Sequence, residues 1–140
     1  MLLRCVANRG KDLPPGEYGL RAADKVRYPV TVGHTYQVYA MVFFRRALVV
    51  LLNDDNSMPR AYPVELFEVV DGEVPDDWTF ARRFRDGEFG VTAVLGYSEL
   101  VADEDHLDLL MDNDREAWRI FFREVRRRSS DVVDRGSAEG

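Results

Sequence analysis

The chain has 140 residues, with 19 basic and 25 acidic side chains, a formal net charge of −6 and 46% apolar residues. That length suits one domain with a real core and is too short for two. The apolar share excludes a disordered acidic chain, and the negative balance argues against non-specific nucleic-acid binding, which needs a basic face.

The first strand is short: Leu2, Leu3, Val6 and Ala7 surround Cys5, the single cysteine. One cysteine leaves no intrachain disulfide and no cysteine-based zinc site, and these neighbours read as burying an inert thiol. Residues 8–33 hold Asn8, Gly10, Pro14, Pro15, Gly16, Gly19, Pro29 and Gly33. That density of turn formers predicts a long irregular excursion with an extended piece at Val30–Val32. His34–Phe44 is rich in aromatic and β-branched residues and reads as a strand. Arg45-Arg46 forms a charged tip, and Ala47–Leu52 returns as a strand buried on both faces. Asn53–Ser57 has the short polar side chains of an Asx-type turn. Arg60–Val70 supplies one strand or two, and Asp71–Asp77 breaks them. Trp78–Phe84 alternates large apolar side chains onto one face, then Asp86-Gly87 turns into Phe89–Leu95 as a final hairpin.

The period changes at Tyr97. Leu100, Val101, Leu107, Leu110 and Met111 are spaced for one helix or two short ones, with Asp103 as a candidate N-cap. Asn113 reads as the N-cap of a longer helix, with Glu116 in capping-box position. Trp118, Phe121, Phe122 and Val125 make its apolar stripe, and Arg126-Arg127-Arg128 suit its last turn. The layout predicts an α+β domain over residues 1–128, with a flexible tail at 129–140. Its β part is expected to be a small, strongly bent SH3-like barrel of five to seven short strands, with the C-terminal helices packed on it.

Few constellations point to catalysis. Cys5 has only His34 and His106 as potential bases, in no recognisable motif. Asp54-Asp55-Asn56 and Asp103–His106 offer metal-type ligands, but adjacent residues on a helix point in different directions, and neither run has calcium-loop spacing. No phosphate-cradling loop is present. Arg82, Arg83, Arg85 and Arg126–Arg128 lie near aromatics, but Asp76, Asp77, Asp86 and Glu88 weaken any nucleic-acid field there. No window approaches the roughly 18 apolar residues of a membrane span. Leu2-Leu3-Arg4-Cys5 lacks the apolar stretch that precedes a lipoprotein cleavage site. A soluble, cytoplasmic protein is the expectation.

Charge is the feature that remains. Residues 1–53 carry eight basic and three acidic side chains, +5, whereas the remainder carries eleven and twenty-two, −11. Residues 98–116 alone hold eight acids against Arg115, a net −7. On a helix Glu104, Asp105, Asp108 and Asp112 lie roughly on one side, opposite Leu107, Leu110 and Met111. This is either a solvated helix face or a patch that steers a basic partner.

HTYQVYAMVFF, LLNDDNSMPRAYPVELFEVVDGEVPDDWTF and GYSELVADEDHLDLLMDNDREAWRIFFRE resemble a group of small bacterial immunity-type proteins found beside polymorphic toxins. The shared pattern is a tyrosine-bearing strand, an aspartate-rich turn, a YP-x-x-LFE stretch, a P-x-x-W turn and a closing GY-x-EL helical region. It spans residues 34–124, and the stretch from Cys5 to Gly10 fits as well. The chain departs from it with Arg45-Arg46-Ala47 where a glycine-bearing hairpin is usual, and with extra acidic residues. The resemblance implies an SH3-like barrel and a protein partner, and it supplies no catalytic residue to carry over.

The leading expectation is a non-enzymatic, cytoplasmic immunity protein that binds a basic cognate toxin and occludes its active or substrate-binding surface. Glu99, Glu104, Asp105, Asp108 and Asp112 are its expected partner-binding residues, with no cofactor, metal, nucleic acid or membrane involved. Two alternatives are a peptide-binding module using Tyr36, Tyr39, Phe43 or Tyr62, and a small metal-assisted hydrolase using Asp54, Asp55 or His106.

Overall fold

A computed structural model describes residues 1–13, 26–84 and 90–139, with side chains through Ser129. Strands β1 (Leu2–Cys5), β2 (Thr35–Gln37), β3 (Ala40–Phe44), β4 (Leu48–Asn53), β5 (Pro59–Pro63), β6 (Phe67–Asp71), β7 (Thr79–Arg82) and β8 (Val91–Gly96) precede helices α1 (Ser98–Ala102), α2 (His106–Met111) and α3 (Arg115–Glu139). All described pairings are antiparallel. They form a three-stranded sheet in the order β2-β1-β6 and a five-stranded sheet in the order β5-β4-β3-β8-β7.

The α+β class is therefore as expected, but the strands do not close into a barrel. The reason lies in the stretch 34–44, which is two strands rather than one. Val38 and Tyr39 are both buried, so strict alternation fails between them. The Val38 N–H donates to the Met1 carbonyl at 3.0 Å, and the Tyr39 N–H donates to the Leu51 carbonyl at 2.9 Å. Successive donors thus serve different sheets, and the chain crosses from the small sheet to the large one at this dipeptide.

Two cores result. Leu3, Tyr36, Val38, Leu66 and Trp78 pack with Val50 and Leu52 in the first, which joins the two sheets. Ala40, Val42, Leu51 and Val94 pack with Leu100, Leu110 and Phe121 in the second, which joins the large sheet to the helices. Strand β4 supplies both, so it is buried on both faces as its sequence suggests. The face on which Trp78–Phe84 alternates is only partly covered: Trp78 is buried, whereas Phe80 and Phe84 are exposed. The antiparallel pairing of β7 with β8 agrees with a hairpin, but the Asp86-Gly87 turn lies outside the described residues. Of the excursion at 8–33, residues 14–25 also lie outside them. No strand forms at Val30–Val32; instead Arg9 and Arg27 make an isolated bridge, and Gly33 N–H donates to the Cys5 carbonyl at 2.8 Å.

The helix boundaries correct two capping expectations. Asp103 follows the end of α1 rather than starting a helix, and its Oδ1 accepts the Asp105 N–H at 2.9 Å. Asn113 sits at φ 62° beyond α2, a conformation asparagine tolerates better than most residues. Its N–H donates to the Leu110 carbonyl while Asp114 N–H reaches the Leu109 carbonyl, the paired bonds of a Schellman ending. The cap of α3 is then Asp114, whose Oδ2 accepts the Ala117 N–H at 3.0 Å. Glu116 is engaged by Arg119 instead. Helical backbone continues through 129–139, where the sequence suggests a tail.

Phe121 anchors α3, fully buried with its ring edge-on to Tyr39 at 5.1 Å. Trp118 ties α3 to α2, its Nε1–H donating to the Leu110 carbonyl at 3.0 Å.

Candidate interaction site

The acidic segment folds around two short helices whose inner sides are set by Leu100, Val101, His106 and Leu110, all buried. Its five candidate residues do not share one environment. Glu99 is half-buried and accepts from Arg123 at 2.8 Å, so it braces α1 against α3. Glu104 and Asp108 line a small cleft together with the buried Arg83, whose guanidinium donates to the Val101 carbonyl at 2.6 Å. The Glu104 and Asp108 carboxylates thus lie beside a buried cation, unlike those of the outward-facing acids. Asp105 and Asp112 face solvent with no side-chain partner among the described residues.

Leu109 was not among the expected site residues. It is exposed on α2, four residues after Asp105 and three before Asp112, which places it on their side of the helix. The signal was weak: adjacent leucines on a helix lie about 100° apart, so the doublet Leu109-Leu110 spans one edge of the apolar face. Of the two, only Leu110 is buried. The outward surface is therefore an apolar centre with carboxylates around it.

His106 holds this surface from below. Its Nε2 and the Tyr97 hydroxyl share a hydrogen bond of 2.6 Å, and both side chains are buried. Burial holds the imidazole below its ordinary value of 6.5, against the opposing pull of the Asp103, Glu99 and Asp114 carboxylates. The unfolded chain therefore takes up the proton first. The neutral ring's contribution to stability is complete above about pH 6.5 and is lost as pH falls through that value toward the lower folded one. Urea midpoints should fall between about pH 7 and 5, and His106→Gln should flatten that fall. Equal slopes in both proteins would remove His106 as the cause.

The catalytic alternatives meet structural explanations. Asp54 Oδ1 accepts the backbone N–H groups of Asn56 and Met58 at 2.9 and 3.1 Å, and its Oδ2 accepts the Tyr62 hydroxyl at 2.6 Å. Asp55 accepts from the Tyr36 hydroxyl at 2.7 Å and from Thr31 Oγ1 at 2.6 Å. Both carboxylates are engaged in shaping the 53–58 turn and tying residues 29–31 to it. Cys5 is buried, which pushes its thiol up, and its Sγ donates to the Ala7 carbonyl at 3.2 Å. Among the described residues no three His, Cys, Asp or Glu side chains converge on a metal position. Of the aromatics considered for a peptide groove, Tyr36, Tyr39 and Tyr62 are buried and only Phe43 is half-exposed.

The basic cluster on α3 is engaged as well. Arg127 and Arg128 both donate to Asp77, while Glu124, nearly buried, accepts from Arg127. Burial works against ionisation of Asp77, but hydrogen bonds from Arg128 and Arg127 hold its carboxyl below the usual value. This network pins the 73–77 loop to α3 beside an open groove of about 300 Å³, lined on the other side by Met1, Leu2 and Gln37.

No protein family, no curated protein and no solved structure matches the chain. Among the described residues no helix is long and apolar enough to cross a membrane.

Proposed function

We propose that the chain is a non-enzymatic, cytoplasmic immunity protein that binds a basic cognate toxin and covers its active or substrate-binding surface. The observation that carries this reading is the outward face of α2, where Asp105 and Asp112 flank the exposed Leu109. An apolar contact within a charged ring gives a partner something to desolvate at the centre and a field that guides its approach. The sequence resemblance points in the same direction. Kinship of the β part to SH3-like barrels belongs to the same proposal, supported by two antiparallel sheets packed over a shared core with the chain crossing between them at Val38-Tyr39.

The test is co-expression with the toxin encoded beside it, scoring growth and co-purification. Wild type should restore growth and retain the toxin. The double variant Asp105→Arg, Asp112→Arg should weaken binding by about tenfold or more, chiefly through a slower association rate. Undiminished protection by that variant would move the site elsewhere. Failure of wild type to protect or co-purify would overturn the immunity reading itself.

A further inference from the structure

Among the described residues strand β7 ends the five-stranded ladder, and its side away from β8 has a specific chemistry. The Arg83 N–H donates to the Thr92 carbonyl at 2.8 Å, which fixes the phase of the β7–β8 pairing. In an antiparallel ladder the inward-bonding residues alternate. Thr79, Ala81 and Arg83 therefore turn their backbone groups toward β8, and Phe80 and Arg82 turn theirs outward. The same alternation puts the side chains of Phe80, Arg82 and Phe84 on one face. Phe80 is 58% exposed and Phe84 is 87% exposed, and the Arg82 guanidinium lies 5.5 Å from the centre of the Phe84 ring.

That face continues across the sheet. Register aligns Arg82 with Ala93, Ala93 with Phe43, and Phe43 with Leu48. One row away, Leu95 and Met41 pack against the core beneath the small sheet. The small sheet thus covers one end of this face, while toward β7 it ends in the exposed Phe80, Arg82 and Phe84. Arg45 and Arg46, at the exposed tip between β3 and β4, stand beyond Phe43 and have no anionic partner among the described residues.

We infer that the free edge of β7 is a docking site for an extended, acidic segment of another protein, added as a sixth strand. Outward N–H and C=O groups supply the ladder, Phe80 and Phe84 supply apolar anchorage two alternations apart, and Arg82 between them selects a carboxylate. Arg45 and Arg46 extend the same positive field. Pairing of β7 with a second copy of itself would oppose two such cationic faces, so charge complementarity selects an acidic occupant. This surface is independent of the acidic face of α2, and its test does not involve a toxin.

The probe is a capped ten-residue peptide alternating valine and glutamate, titrated into the full chain and followed by backbone amide NMR shifts. A valine–lysine peptide and a ten-nucleotide oligothymidylate are the comparison probes. The expected result is saturable binding of the glutamate peptide, with shifts centred on Phe80, Arg82 and their neighbours on β8. Arg82→Glu should weaken it by about tenfold and transfer preference to the lysine peptide, and Phe80→Thr should weaken both. The Arg82 side chain is exposed, so the reversal leaves the core intact. No binding of the glutamate peptide, binding indifferent to Arg82→Glu, shifts away from β7, or binding of oligothymidylate alone would each overturn the inference.

Discussion

Asp54→Ala is expected to lower the unfolding free energy by about 3–5 kcal/mol, because one buried carboxylate accepts three hydrogen bonds. Removing it releases the Asn56 and Met58 backbone groups and strands the Tyr62 hydroxyl, whose residue is only 6% exposed. Burial first, and the Asp54 carboxylate next, hold the Tyr62 phenol well above its ordinary pKa, so it stays a donor throughout the accessible range. Asp54→Asn keeps a single acceptor oxygen and should recover part of the loss. Tyr62→Phe should add little to Asp54→Ala, since the stranded hydroxyl is then gone, and that non-additivity is the decisive reading. Urea unfolding followed by tryptophan fluorescence measures wild type, the three single variants and the double variant. Additive losses would mean the bond between the two side chains contributes nothing.

Gly96→Ala should cost about 1–3 kcal/mol despite adding a single methyl group. Gly96 faces Ala40 across the β3–β8 pair. A Cβ at position 96 would lie 2.6 Å from the Ala40 Cβ and 3.0 Å from both the Ala40 Cα and the Tyr39 carbonyl oxygen. Backbone atoms cannot yield as a flexible side chain does, so the strands must separate. Alanine's smaller unfolded-state entropy offsets only about 0.4–1 kcal/mol of this. The paired change Gly96→Ala, Ala40→Gly removes the closest contact and should regain much of the loss. A Gly96→Ala protein as stable as wild type would mean the strands have room that the geometry denies.

The sequence was most readable where one pattern had one cause. Leu48–Leu52 reads as a doubly buried strand because nothing polar interrupts it, and Phe121 falls on the core side of α3 by helical spacing alone. Strand β6 and the break after it follow from the apolar run and the Asp71–Asp77 cluster. Misreadings arose where two tertiary surfaces claimed neighbouring residues. Val38 and Tyr39 look like the middle of one strand because both are β formers, yet they belong to different cores. Trp78 and Phe80 share a parity, but Trp78 lies beneath the small sheet and Phe80 beyond its reach, which depends on sheet width rather than local pattern. The aspartates at 54 and 55 have the composition of a ligand cluster, and their hydrogen bonds to the distant Tyr62, Tyr36 and Thr31 cannot be read from local pattern. In the acidic segment the charge was legible. Its division into Arg-bound, Arg-flanking and outward members depends on Arg83 and Arg123, far along the chain.

The order of the small sheet sets a timetable for folding. Its middle strand, β1, precedes both of its partners in the chain, and β6 pairs Leu3 with Val69 and Leu2 with Asp71. Leu2–Cys5 must therefore remain unpaired on that side until the chain has grown past position 71. Closing so long a loop comes before the reward of the contacts it makes, and it is slow compared with local pairing of β3 with β4. The large sheet's central hairpin can thus exist while Leu3 and Cys5 still lack their lid. During that interval the edge of β1 that awaits β6 is open to pairing with the wrong chain.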